Sequence, residues 1–336
     1  MKRRIALGFG FAALLMAVLI TAVGGQDVFD ELSRADYSVL GLGVLSGIFA
    51  LAFRGFVWNR FLTLVDNGLS RKRITGVFLT AMFLKYVTPY GQLATEPFVA
   101  YLVVQESEMA YEDGLAGIIS ADLLNYLPYY SFGFLALGIV ATGDALGNDL
   151  FAQFVAFSAL FVAVISIIAV GARRPDIVYG IVLFITSVLR RVLGKLTPRF
   201  DEQLSRSAVR TRLDGFYATI TMITADRRTL LITAVYAHIG MIFLMLPVYI
   251  GAAALGHQLS LPVVALVVAL GKLGAIVPAP GGTGGVEAMV TASLTTLGQL
   301  EPAAALTIAI IYRVCTYWLT VGIGGISAAS VLFRGE

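Results

Sequence analysis

The sequence has one cysteine, two histidines and few charges, and each scarcity removes a class of function. A lone Cys315 cannot close an intramolecular disulfide, and it says nothing about redox compartment. His238 and His257 stand apart, and no cluster of His, Cys, Asp and Glu has metal-ligand spacing, so neither a metal nor another cofactor is expected. Gly271-Lys272 lacks the upstream glycine and the following Ser/Thr of a P-loop, which argues against direct use of ATP. Charged residues make up 13% of the 336, against roughly 25% in a soluble domain. In their place, 58% of the residues are hydrophobic and the mean hydropathy is +0.85. The chain therefore reads as an all-α polytopic integral membrane protein, with no nucleic-acid partner expected.

Six runs are long enough to cross a bilayer, at ~20 apolar residues each. They are Ile5–Val23, Ser38–Phe61, Gly114–Ala141, Phe151–Val170, Leu230–Leu255 and Ala303–Phe333. The first follows Lys2, Arg3 and Arg4 and could be cut as a signal peptide at Ala22-Val23-Gly24. Its length exceeds the ~7–15 residues of a signal core, so a retained span is expected. The acidic segments Gln26–Asp36 and Gly143–Asp149 suit the outside. Arg60, Arg71-Lys72-Arg73 and the arginine-rich segment 173–228 mark the cytoplasmic side. Within that segment, Ile177–Leu189 is apolar but short, which suits a helix lying in the interface, and Asp201–Arg228 reads as amphipathic. Both termini are expected in the cytoplasm, in a cell membrane.

Two stretches do not fit a plain span. Val277 to Glu287 reads V-P-A-P-G-G-T-G-G-V-E, with two prolines and four glycines, yet apolar sequence resumes on both sides. A helix cannot continue through it. The flanks Leu261–Val277 and Val286–Leu297 are each too short to span comfortably. A re-entrant pair of half-helices is the economical reading, because broken backbone at membrane depth must be buried in protein or line a wet cavity. Ile74–Val104 is the second such stretch, interrupted from Tyr86 to Pro97. It could be one long span or a second re-entrant pair.

An internal repeat decides for the pair. At an offset of 191 residues Pro89 falls on Pro280, Gly91 on Gly282, Glu96 on Glu287, Asp122 on Arg313 and Tyr126 on Tyr317. Ser38–Phe61 falls on Thr229–Ala252 without a gap. The chain is thus expected to form one transmembrane domain over 1–336, with repeats at 38–141 and 229–333. The first pair enters from the cytoplasm and the second from outside, the inverted plan of secondary transporters. The model places one acidic loop, Glu106–Asp113, on the cytoplasmic side, and acidic residues influence orientation only weakly.

The run Pro278 to Glu287, with Ala303, Tyr312-Arg313 and Tyr317-Trp318, resembles the signature of the lysylphosphatidylglycerol synthase transmembrane (flippase-like) family. Thr88-Pro89-Tyr90-Gly91-Gln92 and Glu96-Pro97 resemble its first-half motif, with Ala94-Thr95 where that family tends to have glycine. The resemblance covers nearly the whole chain. It implies a lipid-translocating module and, with nothing after Glu336 to form a soluble aminoacyl-transfer domain, no synthase activity.

Ionised groups at bilayer depth cost several kcal/mol unless paired or wet, so they are functional candidates by default. Glu96, Asp122, Glu287 and Arg313 are the expected substrate or ion site, and Pro89, Gly91, Pro280, Gly281, Gly282 and Gly284 the re-entrant turns. Arg313 and the half-helix N-termini would meet a lipid phosphate. The carboxylates would supply counter-charge and protonation sites. The plainer alternative is a structural Glu287–Arg313 ion pair. Lys85 and Lys272 either snorkel or line the cavity, His238 is read as a hydrogen-bonded interior residue, and Tyr126, Tyr129 and Tyr130 as packing and interfacial anchors.

Three functions fit these features. The first is flippase- or scramblase-like movement of an anionic phospholipid or polyprenyl-linked phosphate. The others are ion-coupled carriage of a small solute, and service as a non-transporting partner of a membrane enzyme. An enzymatic role is not expected. A homo-oligomer or a membrane-enzyme partner would be compatible with any of the three.

Overall fold

The structure is a computed structural model and describes residues 2–142, 148–193 and 204–332. All regular structure there is helical. Helix α1 (Lys2–Val23) meets α2 (Gly25–Arg34) at a bend of 89°. Asp36 caps α3 (Tyr37–Val65), accepting hydrogen bonds from the Ser38 amide at 2.9 Å and its hydroxyl at 2.6 Å. These bonds hold the Asp36 carboxyl below the usual carboxylate range. The first half continues through α4 (Arg71–Val87), the single turn α5 (Gly91–Ala94), α6 (Glu96–Gln105) and α7 (Tyr111–Thr142). Helices α8 (Asn148–Arg173), α9 (Pro175–Leu193) and α10 (Arg206–Ala225) connect the halves. The second half comprises α11 (Arg227–Ala254), α12 (Leu261–Gly271), α13 (Gly285–Leu297), α14 (Pro302–Arg313), a π-helical turn at Val314–Trp318, and α15 (Leu319–Leu332).

Among the described residues four helices are long and apolar enough to cross a membrane: Tyr37–Val65, Tyr111–Val140, Arg227–Ala254 and Pro302–Ser330. The bent α1–α2 pair makes a fifth if it counts as one span, against the six expected. The remaining expected span, Phe151–Val170, falls within α8, whose side chains are only partly described. Most of the expected outer loop Gly143–Asp149 and the beginning of the segment Asp201–Arg228 lie outside the described residues.

Ile74–Val104 is a hairpin. Arg73, at the start of α4, lies 3.7 Å from the Glu106 carboxylate just beyond α6, while Lys85 and Glu96 meet at the far end. One long span would put Arg73 and Glu106 on opposite sides of the bilayer. The second stretch folds the same way: Leu259 abuts Gly298 at the base and Gly274 abuts Gly285 near the tip.

The two halves pack antiparallel in matching register. Ser46 of α3 donates to the Phe243 carbonyl of α11 at 2.7 Å, and the Asp36 amide donates to Ala254 at 3.0 Å. In α15, Ser327 donates to Gly76 of α4 at 3.0 Å, and Gly324 abuts Leu79 and Phe83. The offset-equivalent helices, α12 and α7, pair antiparallel as well, with Leu266 and Leu270 packed near Ala136 and Leu137. Exchanging the halves reproduces each pairing, which is the relation an in-plane two-fold axis requires.

The basic segments gather at one end. There, Thr219 of α10 donates to Asp113 at 2.5 Å, and Tyr217 donates to the Gly171 carbonyl at 3.0 Å. At the same end α9 leaves Ile181, Phe184 and Ile185 exposed, an apolar face suited to the interface.

Candidate functional site

The second break is closed by charge. Gly281 adopts φ 59°, and a Cβ there would run into the Tyr317 ring, so only glycine fits. Arg313, in the last turn of α14, donates through Nε to Glu287 Oε1 at 2.8 Å. Its Nη2 donates to the Gly281 carbonyl at 3.0 Å and to Thr283 Oγ1 at 3.2 Å. Its guanidinium stacks 4.1 Å from the Tyr317 ring. The other Glu287 oxygen accepts the Gly284 amide at 2.7 Å, capping α13. One cation faces one anion, both buried, and each carboxylate oxygen has a donor. The arrangement fixes the shape of the turn.

The first break is built differently. The left-handed residue there is Tyr90, with φ 53°. Gly91 is required by close approach, since a Cβ on it would meet the backbone of Lys85. Lys85 places its ammonium between two carboxylates, 2.8 Å from Glu96 Oε1 and in contact with Asp122 Oδ2. Trp58 Nε1 donates to Asp122 Oδ1 at 2.8 Å, and the ammonium sits 5.1 Å from the centre of the Trp58 ring. Glu96 Oε2 is buried and accepts no hydrogen bond. Two anions thus share one cation.

Between the two tips lies a cavity of about 580 Å³. Thr88, Tyr90 and Gly91 line it from the first break, and Ala279, Gly281 and Gly282 from the second. Lys85 and Lys272 contribute to its wall, and the rest is mainly apolar, including Phe161 and Ile165 of α8. Lys272 lies 4.6 Å from the Tyr126 ring centre and 5.6 Å from that of Tyr129. A crevice of about 50 Å³ shares Tyr129, Lys272, Ala275 and Gly281 with the cavity and reaches Arg313. Pro89 and Pro280, the two tip prolines, both face Gly8 of α1.

The expected residues therefore fall into two clusters rather than one. Glu287 and Arg313 meet behind the second tip, Glu96 and Asp122 behind the first. Lys85 snorkels nowhere, being 3% exposed in its double ion pair. Tyr126, Tyr129 and Tyr130, read from the sequence as packing and interfacial anchors, line the cavity, because the face of α7 that carries them turns inward against α12. His238 is hydrogen-bonded at both ring nitrogens, to Ala234 and Ser131, each at 2.8 Å. Among the described residues no group of three or more His, Cys, Asp or Glu side chains could hold a metal ion.

Sequence reasoning missed Arg54 and Trp58. Arg54, in the middle of α3, donates to the Tyr86 hydroxyl at 3.2 Å, and the Tyr317 hydroxyl donates to the Tyr86 carbonyl at 3.3 Å. A charge within an expected span was itself the available signal for Arg54. Nothing local marks Trp58 as the partner of Asp122.

Residues 5–324 match the family described as the lysylphosphatidylglycerol synthase TM region. The chain is 23% identical over 326 residues to a UPF0104 membrane protein of Methanothermobacter thermautotrophicus, covering 96% of this chain and 94% of that protein. It is 24% identical over 319 residues to a UPF0104 membrane protein of Pyrococcus horikoshii, covering 93% and 92%. With broken helices, paired halves and a match across almost its full length, the chain is a multi-pass membrane protein that belongs to the lysylphosphatidylglycerol synthase transmembrane-region family.

Proposed function

We propose that this protein moves an anionic lipid between the leaflets of the cell membrane, in the manner of a flippase or scramblase. The substrate would be a phospholipid or a polyprenyl-linked phosphate. The observation that carries the reading is the cavity between the two tips, apolar over most of its wall but bearing Lys272 beside tyrosines. An amphiphile needs both kinds of surface. A phosphate at this depth is stable only beside donors, and an ammonium or a phenol supplies charge-assisted hydrogen bonds. The lipid chains would follow the apolar side past Phe161 and Ile165. Antiparallel halves around a central site suit alternating exposure to the two leaflets, and the family's lipid-related name supports the substrate class. On this reading the basic end faces the cytoplasm and the chain makes and breaks no covalent bond.

The test is a leaflet assay in proteoliposomes, with head-group-labelled anionic lipid quenched from outside. Intact protein should expose inner-leaflet lipid. Lys272→Gln should slow exposure about tenfold, the equivalent of ~1.4 kcal/mol. If intact protein matches empty vesicles across several anionic lipids, with and without a proton gradient, lipid movement is overturned. Carriage of a soluble solute or a scaffold role would then take its place.

A further inference from the structure

Negative charge is in excess at the first break and balanced at the second. Lys85 answers only one of its two carboxylates, and the three groups together carry one net negative charge. They sit in a wall where an uncompensated charge is expensive. Asp122 has a donor on each oxygen, Trp58 on one and Lys85 on the other. Glu96 has Lys85 on Oε1 and no donor on its buried Oε2. Removing the proton from Lys85 would leave two carboxylates without a cation, so the change that neutralises the cluster is a proton on Glu96 Oε2.

The surroundings agree with that choice. Lys85 faces Glu96 from α4, and Asp122 faces it from α7, close enough for the two carboxyls to interact. Near Asp122 are Tyr126 on its own helix and Lys272 beyond α12, while Arg54 of α3 faces Tyr126 and donates to the Tyr86 hydroxyl. Tyr111 of α7 spends its hydroxyl on the Pro97 carbonyl at 3.1 Å. The cations around the cluster thus answer Asp122 or the tyrosines. Lys85 lines the cavity, which gives water a route to the cluster.

We propose that Glu96 is a proton-binding site and that proton uptake there is coupled to lipid movement; the coupling, though not the site, rests on the transport reading above. With Glu96 ionised, Lys85 clamps the first turn of α6 and the middle of α7 to the end of α4. With Glu96 protonated, Lys85 and Asp122 form a neutral pair, and the tip that carries Thr88 and Gly91 into the cavity is held by one charged contact fewer. The proton comes from cavity water onto Oε2 and returns the same way.

Difference infrared spectroscopy of the purified protein reads the site without reference to transport. A protonated-carboxyl band that titrates with pH should appear in the intact protein, persist in Glu287→Gln, vanish in Glu96→Gln, and move to lower pH in Asp122→Asn, where Lys85 answers a single carboxylate. Glu96→Asp should keep the band at a shifted frequency, which separates loss of the proton from loss of the fold. Absence of the band in intact protein, its survival in Glu96→Gln, or an unmoved titration in Asp122→Asn would each overturn the assignment. In vesicles, an imposed proton gradient should change the rate of lipid movement severalfold in the intact protein and in Glu96→Asp. A Glu96→Gln protein that still follows the gradient overturns the coupling. A titrating band in a protein that moves no lipid leaves the proton site standing and removes the transport reading instead.

Discussion

The two breaks occupy equivalent places in the repeat, yet they solve the problem of buried charge in opposite ways. At the second, Arg313 and Glu287 cancel, and the remaining donors and acceptors of the pair lock Gly281, Thr283 and Gly284 into one shape. At the first, Lys85 is shared between Glu96 and Asp122, with one carboxylate oxygen left over. The position that carries Asp122 in one half carries Arg313 in the other, and Lys85 falls on Ile276, so two exchanges separate the closed pair from the open triad. An inverted repeat need not have two equal sites. One half can be rigid while the other responds to protonation.

The sharpest way to break this comparison is Lys85→Ala. It strands two buried carboxylates, and loss should exceed the ~3–5 kcal/mol expected when one partner of a buried pair is removed. Chemical unfolding in detergent measures it. Adding Glu96→Gln and Asp122→Asn in the same chain should recover most of the loss, because no unpaired charge then remains. Arg313→Ala comes next, at ~3–5 kcal/mol, since it strands Glu287 and frees the Gly281 and Thr283 contacts. Gly281→Ala should cost less, about 1–2 kcal/mol for the left-handed backbone together with a clash against Tyr317. Measured in a Tyr317→Ala background, the same glycine substitution should lose the clash and keep only the backbone cost.

The smallest expected effect is the most discriminating. Glu96→Gln keeps the neutral Lys85–Asp122 pair and should change stability by less than ~1 kcal/mol, whereas Glu287→Gln leaves Arg313 without its anion. Equal losses in the two variants, measured side by side, would mean that the halves are electrostatically alike after all.

Much of this was legible in the residues. The break at Val277–Glu287 is written in its prolines and glycines, because backbone restriction is a local property. The offset that joins Glu96 to Glu287 is a matter of counting. The Glu287–Arg313 pair could be foreseen because both residues stand at depth and only an opposite charge makes that tolerable. The triad could not. Asp122 is 37 residues from Lys85 and 64 from Trp58, and no local pattern tells which face of α7 turns toward α3 and α4. The cavity was expected to centre on the four charged residues, and its charged lining is Lys85 and Lys272 instead.

By itself the sequence determined the solvent of this protein, its helical class, its two broken hairpins and the charges that must find partners. These follow from composition, periodicity and the cost of bare charge in lipid, all of which are carried residue by residue. Tertiary structure decided who partners whom. It set the return of α6 beside α4, the antiparallel register of the halves and the sharing of Lys85. Those outcomes depend on how helices lean against one another, and side-chain direction at a helix contact is fixed only when the neighbouring helix is in place.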